Sequence, residues 1–149
     1  NRERDISLSL SKEDIINSIR DYLASQPDII AAYLFGSLAK GTFRRGSDID
    51  IAVLFAPGTR DKLAHFTRKL DLEIALTDMV HRSVQVVDLE EASPPLQHQV
   101  RKYGRLLVDK DKHYRVDFEV RSRRNYFDLQ HFYRLQKEAL FTKLGEFNG

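Results

Sequence analysis

The chain has 149 residues, enough for one domain with a modest core. It contains no cysteine, which excludes disulfides, thiolate metal sites and a cysteine nucleophile. Its net charge of +2 supplies no strong field for nucleic acid or an anionic membrane.

Ser11 and Asp14 make a capping pair at a helix start. Ile15, Ile16, Ile19, Tyr22 and Leu23 then recur at helical spacing, and Pro27 lies beyond the end. Ile29 to Phe35 is an apolar run of strand length, closed by Gly36-Ser37. Leu38 to Ser47 connects it to a second strand, Ile49 to Phe55, which Pro57-Gly58 breaks. The apolar spacing of Leu63, Phe66, Leu70, Ile74 and Met79 predicts a helix from about Arg60 to Met79. Val84 to Leu89 reads as a third strand. Ser93-Pro94 opens a helix that Gly104 stops. Arg105 to Val108 reads as a short edge strand. A long aromatic helical segment follows, from about Tyr114 to Leu144, with Gly145 as its cap. The order predicts an α/β (α+β) fold, a small mixed β-sheet with flanking helices and a long C-terminal helical segment. No apolar run approaches the ~20 residues of a membrane span, and the N-terminal NRERDISLSLS has no apolar signal core, so a cytoplasmic protein is expected.

Residues 36 to 50 read GSLAKGTFRRGSDID, and this stretch carries the chemistry. Alternate strand residues share a face, so Asp48 and Asp50 point the same way, ~7 Å apart along the strand. Two like charges on a partly buried face repel unless a cation sits between them. Oxygen-preferring Mg²⁺ suits that pair and leaves room for water and phosphate. The upstream turn is the complement: Gly36 permits close backbone approach, Ser37 adds a hydroxyl, and the backbone N–H groups of such a turn suit a triphosphate. Lys40, Arg44 and Arg45 are available cations for phosphate oxygens. Alone, a D-x-D at a strand edge is usually a solvated turn. A strand, then G-S, then ten residues, then D-x-D opening another apolar strand points to a nucleotide and metal site.

The G-S-x(10)-D-x-D pattern resembles the signature of the DNA polymerase β-like nucleotidyltransferases. SDIDIAVLF and the later VVDLEEASPPLQHQVRKYGRLLVD resemble the minimal nucleotidyltransferase branch, and within it the MntA-type antitoxins that pair with HEPN-domain RNase toxins. The likeness covers roughly Ala31 to Asp109. It implies the polymerase β-like fold and a type VII toxin–antitoxin role, in which AMP passes from ATP to a tyrosine of the toxin and silences it. It also implies that Gly36 and Ser37 hold the triphosphate, that Asp48 and Asp50 bind Mg²⁺, and that Arg45 and Ser47 assist at the loop. The family has a third acid on the next strand, in a stretch V-D-x-V-D-L. Residues 83 to 89 read SVQVVDL here, so Gln85 stands at that position. Glutamine offers a neutral carbonyl oxygen and is no useful base. Asp88 is a candidate replacement, although the strand period sends 85 and 88 to opposite faces unless a bulge intervenes. Glu90 and Glu91 are further candidates.

The C-terminal third mixes Tyr126, Phe127, Phe132, Tyr133 and Phe141 with Arg121, Arg123, Arg124, Arg134 and Lys137. It fits either a helix packed on the sheet with a basic face, or a partner-docking helix. The division expected is residues 1–110 as the nucleotidyltransferase domain and 111–149 as a docking extension. Interleaved Asp117, Glu119, Asp128 and Glu138 argue against direct nucleic-acid binding. The five histidines show no metal-site spacing. Two alternatives to the enzymatic antitoxin stand beside it: a catalytically weak antitoxin that neutralises by binding alone, and an enzyme that nucleotidylates a small molecule such as an aminoglycoside.

Overall fold

A computed structural model of the chain describes residues 11–41, 47–58 and 61–148. Helix α1 (Lys12–Ala24) starts where the capping pair places it: Ser11 Oγ accepts from the Asp14 N–H, and the Asp14 carboxylate accepts from the Ser11 N–H. Ile15, Ile16, Ile19 and Leu23 form its buried stripe. Strand β1 (Ile29–Phe35) leads through Gly36 into a single helical turn, α2 (Ser37–Lys40). Then come β2 (Ile49–Phe55), α3 (Lys62–Val80), β3 (Val84–Asp88), α4 (Pro94–Tyr103), β4 (Arg105–Asp109) and α5 (Lys112–Asn148).

The strands form one mixed sheet in the order β3-β2-β1-β4. β1 runs antiparallel to both β2 and β4, and β2 runs parallel to β3. One face carries Ile29, Ala32, Leu34, Ile49, Ile51, Val53, Val84 and Val86, packed under α1 and α3. The other carries Ala31, Tyr33, Ala52 and Leu54, covered by Val100 of α4 and Phe118 of α5. Two polar ties lock α5 down. Gln97 Nε2 donates to the Leu89 carbonyl at 2.6 Å while Ser122 Oγ donates to Gln97 Oε1 at 2.6 Å; Tyr33 donates to Glu119 at 2.6 Å.

The outer edge of β3 is covered by side chains. Glu73 and Thr77, one turn apart on α3, accept from the backbone N–H groups of Val86 and Val84 at 2.9 and 3.1 Å. Those two N–H groups alternate with the ones that bond to β2.

Two expectations are corrected. The apolar spacing used to predict α3 implies that Leu63, Phe66, Leu70, Ile74 and Met79 face the core. All five are exposed, and the helix buries Leu72 and Leu76 instead. The helix carries two apolar stripes, and periodicity cannot tell which one finds the sheet. Burying Leu72 and Leu76 contributes ~1.5–3 kcal/mol each. The second correction concerns Gly145, which lies inside α5 rather than capping it. α5 is ~55 Å long by its helical rise. Its proximal part is core, with Phe118 and Ser122 buried, but between Phe127 and Glu146 every residue except Leu129 is exposed. Among the described residues, no helix is long and apolar enough to cross a membrane.

Candidate active site

The site forms where β1 ends and β2 begins. Phe35 is the register partner of Asp50, so Gly36 follows directly beside that carboxylate. Gly36 sits at φ 74°, ψ −151°, a conformation essentially restricted to glycine. A Cβ there would lie 2.3 Å from Asp50 Oδ2. Glycine is therefore required twice, once by the turn and once by the acid behind it. Ser37 opens α2 immediately after, half-buried.

Across the other edge of β2, Asp50 is the register partner of Gln85. Gln85 Nε2 donates to Asp48 Oδ2 at 3.1 Å. The expected common face of Asp48 and Asp50 is thus present, and Gln85 joins it. Asp50 is half-buried and Asp48 is exposed. Burial pushes the Asp50 carboxyl above its ordinary range, and the neighbouring charge of Asp48 adds to the rise. A cation between the two carboxylates would relieve both effects. Oxygen donors, like charges and partial exposure fit a hard divalent ion such as Mg²⁺. Asp48 and Asp50 are the residues that would hold it. Among the described residues, no group of three or more acids and histidines gathers as a metal site.

Asp88 does not join the pair. It follows Val84 and Val86 on the opposite face, is buried, and accepts from the Glu90 N–H at 3.0 Å. Its other oxygen meets His65 Nδ1 of α3 at 3.0 Å. It is also level with Val53 rather than Asp50, ~10 Å further along the strand. Glu90 and Glu91 lie beyond it, Glu90 facing Arg121 at 3.5 Å. Ser47 is half-buried just ahead of Asp48. Arg44 and Arg45 lie outside the described residues, and the side chain of Lys40 is likewise not described.

The sequence reading missed the His65–Asp88 pair and the cleft of about 310 Å³ beside it, lined by Lys62, Phe66, Lys69 and Glu91. The parity of Asp88 was the available clue, since an acid on the helix-covered face needs a partner.

A family model described as polymerase beta, nucleotidyltransferase, matches residues 17–113. The protein adenylyltransferase MntA of Shewanella oneidensis is 40% identical over 98 residues, which are 66% of this chain, and the chain spans 65% of that relative's length. A mutant MntA–HpeT toxin–antitoxin complex contains a chain that superposes with a TM-score of 0.65 at 32% identity, over 89% of this chain and 99% of that one. A tri-AMPylated Shewanella oneidensis HEPN toxin with its MNT antitoxin gives a TM-score of 0.65 at 28% identity, over 88% and 99%. A toxin–antitoxin structure with AMP-PNP gives 0.60 at 32% identity, over 91% and 98%. A mixed sheet with a glycine turn against an acid pair defines a nucleotidyl-transfer scaffold, and this chain belongs to the polymerase β nucleotidyltransferase family.

Proposed function

We propose that this protein is the antitoxin of a type VII HEPN/MNT system and transfers AMP from ATP to a tyrosine of its HEPN RNase toxin. The observation that carries the proposal is the convergence of Gly36, Asp48 and Asp50 at one end of β2. The relatives named above include a protein adenylyltransferase and an antitoxin seen with its AMPylated HEPN toxin, and both accord with it.

The chain's own residues do the following in this reading. Gly36 brings the backbone close, and the Gly36-Ser37 turn with the Ser37 hydroxyl receives triphosphate oxygens, with Ser47 and Arg45 assisting at the loop. Asp48 and Asp50 are the residues that would hold Mg²⁺, and the ion would supply charge neutralisation for the polyphosphate. The tyrosine oxygen attacks the α-phosphorus in line. A new O–P bond forms, the phenolic proton passes to solvent, the bond to the bridging oxygen breaks, and pyrophosphate leaves. The rate gain comes from positioning and fixed charge.

The exposed distal part of α5, with Phe127, Phe132, Tyr133, Leu140 and Phe141, is the surface assigned to the toxin. The functional division then falls within the helix, between its packed and projecting parts. A second reading, neutralisation by binding alone, is favoured by one observation: Gln85, not an acid, lies beside Asp50. Intact mass of the HEPN partner after incubation with this protein, ATP and Mg²⁺ separates the two. The proposal predicts a gain of one or more AMP units, lost with Asp48→Asn/Asp50→Asn. An unchanged mass in a tight complex establishes the second reading.

A further inference from the structure

We propose that Gln85 makes this a one-cation site: its amide, hydrogen-bonded to Asp48, stands where a second cation would otherwise have to neutralise that carboxylate. The inference rests on the nucleotidyltransferase reading of the site and specifies how the site handles its acceptor.

Three observations carry it. The first is charge. The site holds two carboxylates and, among the described residues, no third acid or histidine gathers with them. A cation on the nucleotide side shares the triphosphate oxygens, so one or two carboxylates are enough to hold it. A cation on the acceptor side has few phosphate oxygens to share and depends on the protein. Two divalent ions held close together repel strongly, and each missing carboxylate leaves that repulsion less compensated.

The second is position. Gln85 is level with Asp50 on the adjacent parallel strand and reaches Asp48 at 3.1 Å. Its side chain therefore occupies a strand position from which a third donor could serve both aspartates. The amide turns its N–H₂ inward because its oxygen would face a carboxylate oxygen with nothing between them. A glutamine so oriented supplies a hydrogen-bond donor to Asp48, which a cation would have to displace.

The third is the absence of a substitute among the described residues. Asp88 is turned to the other face and engaged with His65 and the Glu90 N–H. Glu90 and Glu91 follow it, beyond the far end of β3.

The consequence concerns the acceptor. Among the described residues no further carboxylate gathers beside the pair to take the proton of the attacking hydroxyl, and a one-cation site holds no second ion to lower its pKa. The acceptor must then bring its own acidity. A phenol, with a pKa of ~10, meets that need far better than the alkyl hydroxyl of serine or threonine.

Mn²⁺ reports the count directly. The protein, Gln85→Asp and Asp48→Asn/Asp50→Asn are each saturated with α,β-methylene ATP and titrated with Mn²⁺. Bound ion is counted by electron paramagnetic resonance, and folding is checked by thermal denaturation. The expected result is one Mn²⁺ per complex with the spectrum of an isolated ion for the natural chain. For Gln85→Asp it is two, with a spin-coupled spectrum. Two coupled ions in the natural chain would overturn the inference, and so would a single isolated ion in both proteins. Failure of the natural chain to take up the Mn²⁺–analogue complex at all, matching the double variant, would overturn the inference together with the site reading beneath it.

Discussion

Replacing Gly36 with alanine tests whether the glycine turn and Asp50 form one unit. Two costs follow from the geometry. Alanine must adopt a backbone conformation that is essentially glycine-only, at ~1–3 kcal/mol. Its Cβ must also displace the Asp50 carboxylate from 2.3 Å to ordinary contact, a retreat of about 1 Å or more. The first cost lowers the melting temperature by about 2–12 °C for a chain of this size. The second moves a reacting-site acid far enough to slow AMP transfer ~10²-fold. Circular dichroism with a chelator present reads the first effect, and the time course of toxin mass reads the second. A double-mutant cycle with Asp50→Ala separates them, because removing the carboxylate leaves only the backbone strain. An unchanged melting temperature with transfer within threefold of the natural chain would refute the reasoning. So would an equal stability loss in both backgrounds, as far as the clash is concerned.

Other outcomes follow from the same geometry. Asp88→Ala is expected to cost ~1–3 kcal/mol through the hydrogen bonds that this buried carboxylate makes to the half-buried His65 ring and the Glu90 N–H. Its Mn²⁺ count and transfer rate should stay unchanged, and a loss of transfer at retained fold would return Asp88 to the reacting site. Asp50 holds its proton more tightly folded than unfolded, so stability falls as pH rises from its ordinary 3.8 through the raised folded value, and stays reduced above it. With chelator at pH 7, Asp50→Asn should therefore melt higher than the natural chain, and the difference should vanish below pH 3.8. An acceptor without a base on the protein predicts a transfer rate that climbs with pH up to the phenol pKa of ~10, rather than a plateau near neutrality. Charge substitutions at Phe132, Tyr133 and Phe141, all exposed, should weaken toxin binding and leave the melting temperature unchanged; pull-down and thermal unfolding check the two halves.

The strands were legible because their signals were local. Ile29 to Phe35 and Ile49 to Phe55 are apolar runs bounded by turn residues, and both occupy the expected spans. The period of two also placed Asp48 with Asp50 and set Asp88 against Gln85. Long-range facts were not legible. Which stripe of α3 meets the sheet depends on how α1 and the sheet together shape the space, and Leu72 and Leu76 carry no mark that Leu63 and Leu70 lack. The Gln97–Ser122 bond joins residues 25 positions apart, and nothing in either neighbourhood announces it. A glycine near a helix end reads as a stop, yet Gly145 lies within an exposed run of helix where its cost is only ~1 kcal/mol.

The side-chain cover on β3 has a bearing on how the molecule meets others. A bare edge strand invites any extended peptide, including another copy of itself, to add on by backbone pairing. Glu73 and Thr77 accept from the outward N–H groups of Val86 and Val84, so this border offers little for such pairing. An incoming strand would first have to break both bonds and push α3 aside. The fold thereby discourages fibrous self-association along this margin.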